Sequence, residues 1–256
     1  MKKENLSESF SDLKYKIGSE KLQPFKLKLL ELINSTEDRK GKALDIGCGS
    51  GIISSRLTTN LSPIGIDISL EGLKKYRQKG FNGIFGNVES PLPFKSESFQ
   101  VIILSEVIEH INNYQRLIKE SFRVLVSGGT LYITTTNSAY LYYRLLYLIG
   151  KTPTELQHPF HLRFFSYKML VKQLKEHGFH MQAIWGQNVF MFVPDAILRR
   201  IQKKNQFLGN LLIKFLTLIG FRHSEGLIHG DKYILYRFSK SLNNLFSNTI
   251  MIIASR

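Results

Sequence analysis

The chain has 256 residues, 43% of them hydrophobic, enough for one large α/β domain with an insertion and a sizeable core. Its one cysteine, Cys48, excludes an internal disulfide and suits a reducing compartment, and the polar start Met1-Lys2-Lys3-Glu4-Asn5 is unlike an apolar signal segment, so a cytoplasmic location is expected. The net charge of +15 is uneven, +4 over residues 1–128 and +11 over residues 129–256, which suits an acidic partner (a phospholipid surface, a phosphorylated substrate or nucleic acid) as well as it suits a solvated basic face.

Residues 1–19 are polar and aperiodic, whereas Glu20 to Asn34 carries Leu22, Phe25, Leu29, Leu32 and Ile33 at helical spacing. After a charged connector, Ala43-Leu44-Asp45-Ile46 reads as a strand that ends in the loop Gly47-Cys48-Gly49-Ser50-Gly51, after which Ile52-Ile53-Ser54-Ser55-Arg56-Leu57 is expected to start a helix. Glycine at alternate positions permits positive φ and removes Cβ atoms, so such a loop can press against a nucleotide-like ligand. The third glycine comes too early for a pyrophosphate-binding loop, and the carboxylate of Asp45 would repel a pyrophosphate while attracting a cationic ligand. S-adenosylmethionine carries an ammonium and a sulfonium. At these residues the sequence resembles the class I S-adenosylmethionine-dependent methyltransferases, whose first motif is hydrophobic-Asp-x-Gly-x-Gly-x-Gly.

A second apolar run, Ile64-Gly65-Ile66-Asp67-Ile68, again ends in a carboxylate. An ionised acid after the second strand of such a fold accepts strong hydrogen bonds from ribose hydroxyls; the alternative for Asp67 is a helix cap, a task Ser69 can perform instead. Ile68 adjoins this site. Next, Gly83 to Glu89 and Ser98 to Leu104 resemble the third and fourth motifs of the same methyltransferases, with Asn87 and Gln100 standing where aspartates are usual. The resemblance assigns Asn87 to the adenine amino group, through an acceptor oxygen that survives the change, and Val88 to the flank of the ring. Gln100 lies at the start of a strand, away from the cofactor.

The fourth strand runs into Ser105-Glu106-Val107-Ile108-Glu109-His110, similar to the family's small polar residue followed by Glu-x-x-Glu-His. Ligands of doubly wound sheets bind beyond the carboxyl ends of the strands, which brings Ser105 and Glu106 beside the methyl donor. His110 is a candidate to orient an acceptor hydroxyl or take its proton, or else it bonds a neighbouring loop. Tyr114 to Val126 reads as a helix ended by Gly128-Gly129, then Thr130 to Thr136 as a fifth strand, with Asn137 at its end facing the ligands or making a turn.

Beyond Ser138 comes an aromatic helix-like segment, Tyr140 to Gly150, and then His158-Pro159-Phe160-His161-Leu162-Arg163-Phe164-Phe165-Ser166, where Ser166 caps a helix closed by Gly178. This block resembles the branch of the family that acts on small molecules, quinones, lipids and cell-envelope sugars, in which a His before Phe-Phe-Ser/Thr points to the active site. His161 is thus a second catalytic candidate. Phe179–Gly186 and Ser247–Ser255 read as the last two strands, the final one antiparallel, around an insertion with the basic group Arg199-Arg200-Lys203-Lys204 and an apolar stretch from Phe207 to Phe221 that is too short and polar to span a bilayer. Basic beside apolar helix suits an anionic membrane surface or a substrate lid, and core packing explains the same apolar spacing.

The resemblance covers about residues 40–186 and the last strand, and implies a doubly wound, seven-stranded, mostly parallel sheet. Chain length suits one domain over 1–256 with an α-rich insertion, and segments 138–165 and 187–246, which follow strands five and six outside the cofactor core, are expected to cover the acceptor. The resemblance implies methyl transfer from S-adenosyl-L-methionine, bound by Asp45, Gly47, Gly49, Gly51, Asp67, Ile68, Asn87, Val88, Ser105 and Glu106. Cys48 belongs to the loop, which excludes a cysteine-nucleophile methylation; Ser105-Glu106-Val107-Ile108 is not an adenine amino-methylation signature; and the Asp cluster of a magnesium-dependent catechol enzyme is lacking, so no metal is expected. The expected acceptor is an oxygen, or else a nitrogen, of a small, glycan or lipid-linked molecule. RNA methylation and a non-catalytic cofactor-binding scaffold are the alternatives.

Overall fold

A computed structural model describes residues 22–35, 40–58, 60–189, 203–208, 211, 233–237, 245 and 247–256. Two-residue alternation of apolar side chains builds the sheet, and helical periodicity covers it on both faces. In β4 (Phe99–Ser105), Ile102 and Leu104 point to one face and Val101 and Ile103 to the other, and all four are fully buried. On the first face α3 (Tyr114–Val124) lays Leu117 and Ile118, and α5 (Tyr167–Glu176) lays Leu170 and Leu174, against Leu44, Ile133 and Ile252. On the second, α1 (Pro24–Asn34) lays Leu29, Leu30 and Ile33 against Ala43, Tyr132 and Met251. Each such fully buried aliphatic side chain contributes about 1.5–3 kcal/mol, so both faces are needed to hold the sheet.

The strands are β1 (Lys40–Ile46), β2 (Asn60–Asp67), β3 (Asn82–Phe85), β4, β5 (Leu125–Thr136), β6 (His180–Val189), β7 (Tyr233–Arg237) and β8 (Thr249–Ser255), in the spatial order β3-β2-β1-β4-β5-β8-β6-β7. β1 to β5 pair in parallel, and β8 runs antiparallel between β5 and β6. Seven of these strands form the expected doubly wound arrangement. The eighth, β7, adds an antiparallel edge to β6 and falls inside the segment read as an α-rich insertion, where Tyr233-Ile234-Leu235-Tyr236-Arg237 has the β-branched and aromatic content of a strand. Of the remaining insertion, Lys203, Lys204, Phe207, Leu208 and Leu211 are exposed, and Arg199, Arg200 and most of the Phe207–Phe221 stretch lie outside the described residues, as do residues 1–19.

Two local expectations change. The helix expected to start at Ile52 is a single 3₁₀ turn, Ser54–Arg56: β-branched Ile52 and Ile53 and the pair Ser54-Ser55 are weak helix formers, and Ser54 is drawn to Asp45 instead. The helix before β5 stops at Val124, ahead of Gly128-Gly129. The two glycines lie within β5, whose pairing with β4 shifts register between Phe99 and Val101, with Leu125 opposite Phe99 and Thr130 opposite Val101.

Candidate active site

The strand order reverses at β1, which has β2 on one side and β4 on the other, and it is at the carboxyl ends of these strands that the chemically distinctive residues gather. Gly47, Gly49 and Gly51 have φ of 70°, 51° and 76°, a left-handed conformation that glycine adopts freely. Two of them are required by the protein itself: a Cβ on Gly47 would lie 2.4 Å from Val107 Cγ2, and one on Gly51 2.7 Å from Tyr76 Cδ2. The loop is tied down by Gly47 N–H to the Ile66 carbonyl (2.8 Å) and by Lys79 Nζ donating to the Ser50 carbonyl (2.6 Å).

Both loop carboxylates are buried. Asp67 Oδ2 accepts from Gly49 N–H (2.7 Å) and Oδ1 from Ser69 N–H (2.8 Å), while the Ser69 hydroxyl caps α2 (Leu70–Gln78) by accepting from Gly72 N–H. Asp67 thus fixes the loop against the end of β2, and Ile68 follows it there. Asp45 Oδ2 accepts from the Ser54 hydroxyl at 2.6 Å. Exposed Asn87 makes an Asx turn, its Oδ1 accepting from Glu89 N–H at 2.9 Å, and its neighbour Val88 joins the core. Gln100, as expected, is away from this site: its Oε1 accepts from Lys42 N–H over Gly41. Asn137 is fully buried, with Nδ2 donating to the Ser247 carbonyl and Oδ1 accepting from Ala139 N–H, so it holds a turn.

On the β4 side the Ser105 hydroxyl accepts from Thr134 Oγ1 at 3.2 Å, and Glu106 sits at φ 60°, an uncommon conformation for a residue with a side chain. A 3₁₀ turn, Ile108–His110, then brings Glu109 inward and His110 towards the segment 157–163. The Glu109 carbonyl accepts from Leu162 N–H (2.8 Å) and Arg163 N–H (3.0 Å), and His110 Nδ1 meets the Phe160 carbonyl at 2.9 Å, a contact that requires a proton on Nδ1. His161 stacks edge-on to His110 with ring centroids 4.9 Å apart, and its Nδ1 lies 3.4 Å from Gln157 Oε1. Both sequence-predicted histidines therefore meet, through segment 157–163, although 51 positions separate them.

Glu109 was read only as part of a motif, yet it is 1% exposed, and although the Thr135 hydroxyl and the Glu109 backbone lie close to it, neither makes a well-formed hydrogen bond to its carboxylate oxygens. Burial, then the charge of Glu106, holds its carboxyl well above the usual range. One ligand atom each from Glu109, His110 and His161 lies within 4.8 Å of the others. Burial and the neighbouring His110 and His158 push His161 down to about 4, leaving its imidazole neutral at physiological pH. A buried carboxyl with two imidazoles, one of them oriented through its second nitrogen, fits a divalent cation by its chemistry, and a cation would favour the ionised form of the carboxyl. Above Glu106 lies α4 (Leu141–Leu148), whose Tyr143 hydroxyl is pushed up by burial, by Tyr147 and Tyr142 and by the Glu106 carboxylate.

Residues 44–133 match the model of the methyltransferase domain family. Over these residues the chain carries a methyltransferase domain of the class I S-adenosylmethionine-dependent type. It is 35% identical over 114 residues to the mitochondrial ubiquinone biosynthesis O-methyltransferase of Rattus norvegicus (41% of this chain, 33% of that protein) and 38% identical over 101 residues to the ubiquinone biosynthesis O-methyltransferase of Pelagibacter ubique (38% and 42%). The chain thus spans about a third of the length of the first of these relatives. Among solved structures, an S-adenosylmethionine-dependent methyltransferase of Archaeoglobus fulgidus superposes with a TM-score of 0.58 at 16% identity, covering 91% of this chain and 93% of that one. A Haemonchus contortus phosphoethanolamine N-methyltransferase, solved with S-adenosylhomocysteine, gives 0.58 at 16%, covering 90% and 52%. The cyclase SpnF gives 0.55 at 17%, covering 90% and 80%. At these identities the superpositions speak for the fold, and the activity has to be argued from the site.

Proposed function

We propose that this protein transfers a methyl group from S-adenosylmethionine to a hydroxyl oxygen of a small, glycan or lipid-linked acceptor. The observation that carries the reading is the group formed by buried Glu109 and half-buried His110 and His161 at the end of β4, across from the glycine loop and Asp67 at the ends of β1 and β2. Methyl transfer from a sulfonium is an in-line displacement: the acceptor oxygen forms a bond to the methyl carbon, the sulfur–carbon bond breaks, and the hydroxyl proton must leave. Asp67 and the loop would hold the donor, with Asn87 and Val88 at its adenine and Ser105 and Glu106 beside the methyl group. His110 and His161 face the acceptor, orient its hydroxyl and accept its proton. Were their ring nitrogens to hold a divalent cation with Glu109 instead, the cation would make that hydroxyl more acidic and the proton would leave to solvent, not to the two histidines. The names of the ubiquinone O-methyltransferase relatives favour an oxygen over a nitrogen.

The tyrosine-rich stretch from Ser138 to His161 would close over the acceptor; the insertion 187–246, expected to share that task, lies mostly outside the described residues. Exposed Leu145, Leu148, Ile149 and Phe160 on the first, and the basic group around Lys203 and Lys204 on the second, suit an acceptor presented at an anionic membrane, at about 1 kcal/mol per basic residue near the surface. Among the described residues no helix is long and apolar enough to cross a membrane. Incubating the protein with methyl-labelled S-adenosylmethionine and cell lysate, with and without chelator, and then fractionating into lipid, glycan, water-soluble small molecules, RNA and protein tests the reading. Label in a lipid, glycan or small-molecule product supports it. Label in RNA or protein, or in no product, would overturn it.

A further inference from the structure

Beneath the glycine loop lies a buried arrangement that the proposed chemistry does not use directly. Ser69 starts α2 at the end of β2, and the i, i+3 pair Leu73 and Tyr76 turns inward from it. The Tyr76 ring is seated among glycines of three separate elements: a Cβ would lie 2.7 Å from the ring on Gly51, 2.7 Å on Gly65 and 3.2 Å on Gly83. Its hydroxyl donates to Ser54 Oγ at 3.0 Å, and Ser54 in turn donates to Asp45 Oδ2 at 2.6 Å. Tyr76, Ser54 and Asp45 are 0%, 2% and 3% exposed.

A phenylalanine would fill the same socket without burying a hydroxyl, and a buried hydroxyl is tolerated only when it is bonded. The bond it makes leads to one place. The Tyr76 proton leaves Ser54 with a single direction in which to donate, towards Asp45, and two donations in line reinforce each other in a dry interior. One carboxylate oxygen of Asp45 is held in this way. Burial, reinforced by the Asp45 charge, pushes the hydroxyl further up from its ordinary value, so it is protonated and able to donate at neutral pH.

We propose that Tyr76 is a positioning residue for the cofactor: acting through Ser54, its hydroxyl holds the Asp45 carboxylate and the adjoining glycine loop in the form that takes S-adenosylmethionine. The proposal rests on the assignment of that cofactor to this site. Tyr76→Phe keeps the ring and removes only the hydroxyl. It should raise the Kd for S-adenosylmethionine about 5- to 10-fold, the scale of one buried hydrogen bond. Ser54→Ala should do the same, Ser54→Thr should retain most of the affinity, and Tyr76→Phe with Ser54→Ala should lose no more than Ser54→Ala alone, because both act on one chain of bonds.

Calorimetric titration of the four variants, with thermal unfolding of each, provides the affinities and checks that they fold. Amide hydrogen exchange over residues 47–51 of the ligand-free protein provides a reading that needs no ligand, and Tyr76→Phe should exchange faster there while α3 is unchanged. Wild-type affinity in Tyr76→Phe, or losses that simply add in the double variant, would overturn the relay. Unchanged exchange in the loop would do so as well. Wild-type protein that takes up no S-adenosylmethionine would overturn the cofactor assignment itself, a separate failure, and the exchange rates would still decide whether Tyr76 holds the loop.

Discussion

Replacing Gly47 with alanine tests how tightly the loop is built. Gly47 stands at φ 70°, where an alanine side chain costs about 1–2 kcal/mol against the following carbonyl. Its Cβ would also lie 2.4 Å from Val107 Cγ2, well inside any tolerated contact, and Val107 is poorly placed to yield because a β-branched side chain is stiff at χ1 and this one packs against the main core. Overpacking of this kind costs about 1–3 kcal/mol. Gly47→Ala should therefore destabilise the protein by about 2–5 kcal/mol, summing the two effects. Urea denaturation of the wild type, Gly47→Ala, Val107→Ala and the double variant separates them: in the Val107→Ala background the clash is gone, and the alanine should cost only the backbone portion of about 1–2 kcal/mol. Equal costs in both backgrounds would refute the close approach of the loop to Val107.

Other consequences are equally concrete. Glu109→Leu should raise the thermal stability of the cation-free protein, since it removes a buried carboxyl whose oxygens make no well-formed hydrogen bond among the described residues, and it should abolish any stabilisation by added Mn²⁺; differential scanning calorimetry with and without the cation reads both. Leu117→Ala, fully buried between α3 and the sheet, should cost about 2–5 kcal/mol in denaturant while leaving S-adenosylmethionine affinity of the folded protein unchanged. Glu120 is held below its usual 4.5 by hydrogen bonds from Arg123 and from Leu92 N–H. A depressed folded pKa stabilises above the unfolded value and is lost as pH falls through the folded one, so the stability gap between wild type and Glu120→Gln should be full at pH 7 and close below about 4.5.

The parts of the fold that followed from local rules were readable in the sequence. Strand after strand ends in a polar residue at the ligand edge, and Ser69 and Ser166 cap their helices as capping chemistry requires, each accepting from a backbone N–H three residues on. The meeting of His110 with His161 was anticipated only by resemblance, since nothing local in residues 108–110 points to residue 161; the two backbone bonds to the Glu109 carbonyl create that contact. Glu109 itself escaped notice because a Glu one residue before a His reads as a solvated charge, and its burial arises from a 3₁₀ turn that periodicity does not signal. The glycines were expected to make room for a ligand. Gly47 and Gly51 make room for Val107 and Tyr76, side chains 60 and 25 positions away, and no sequence pattern pairs them. The β7 edge was missed for a related reason, a strand of five residues within a long segment that carries helical spacing elsewhere.

The central claim is that Asp67 and the glycine loop form the S-adenosylmethionine site, and calorimetric titration of the cofactor into the purified full chain and its Asp67→Ala variant tests it most directly. The wild type should bind one equivalent saturably, and the variant, having lost both the charged ribose acceptor and the hold on Gly49 N–H, should bind at least about 10-fold more weakly. No binding heat in the wild type, or equal affinity in the two proteins, would contradict the account.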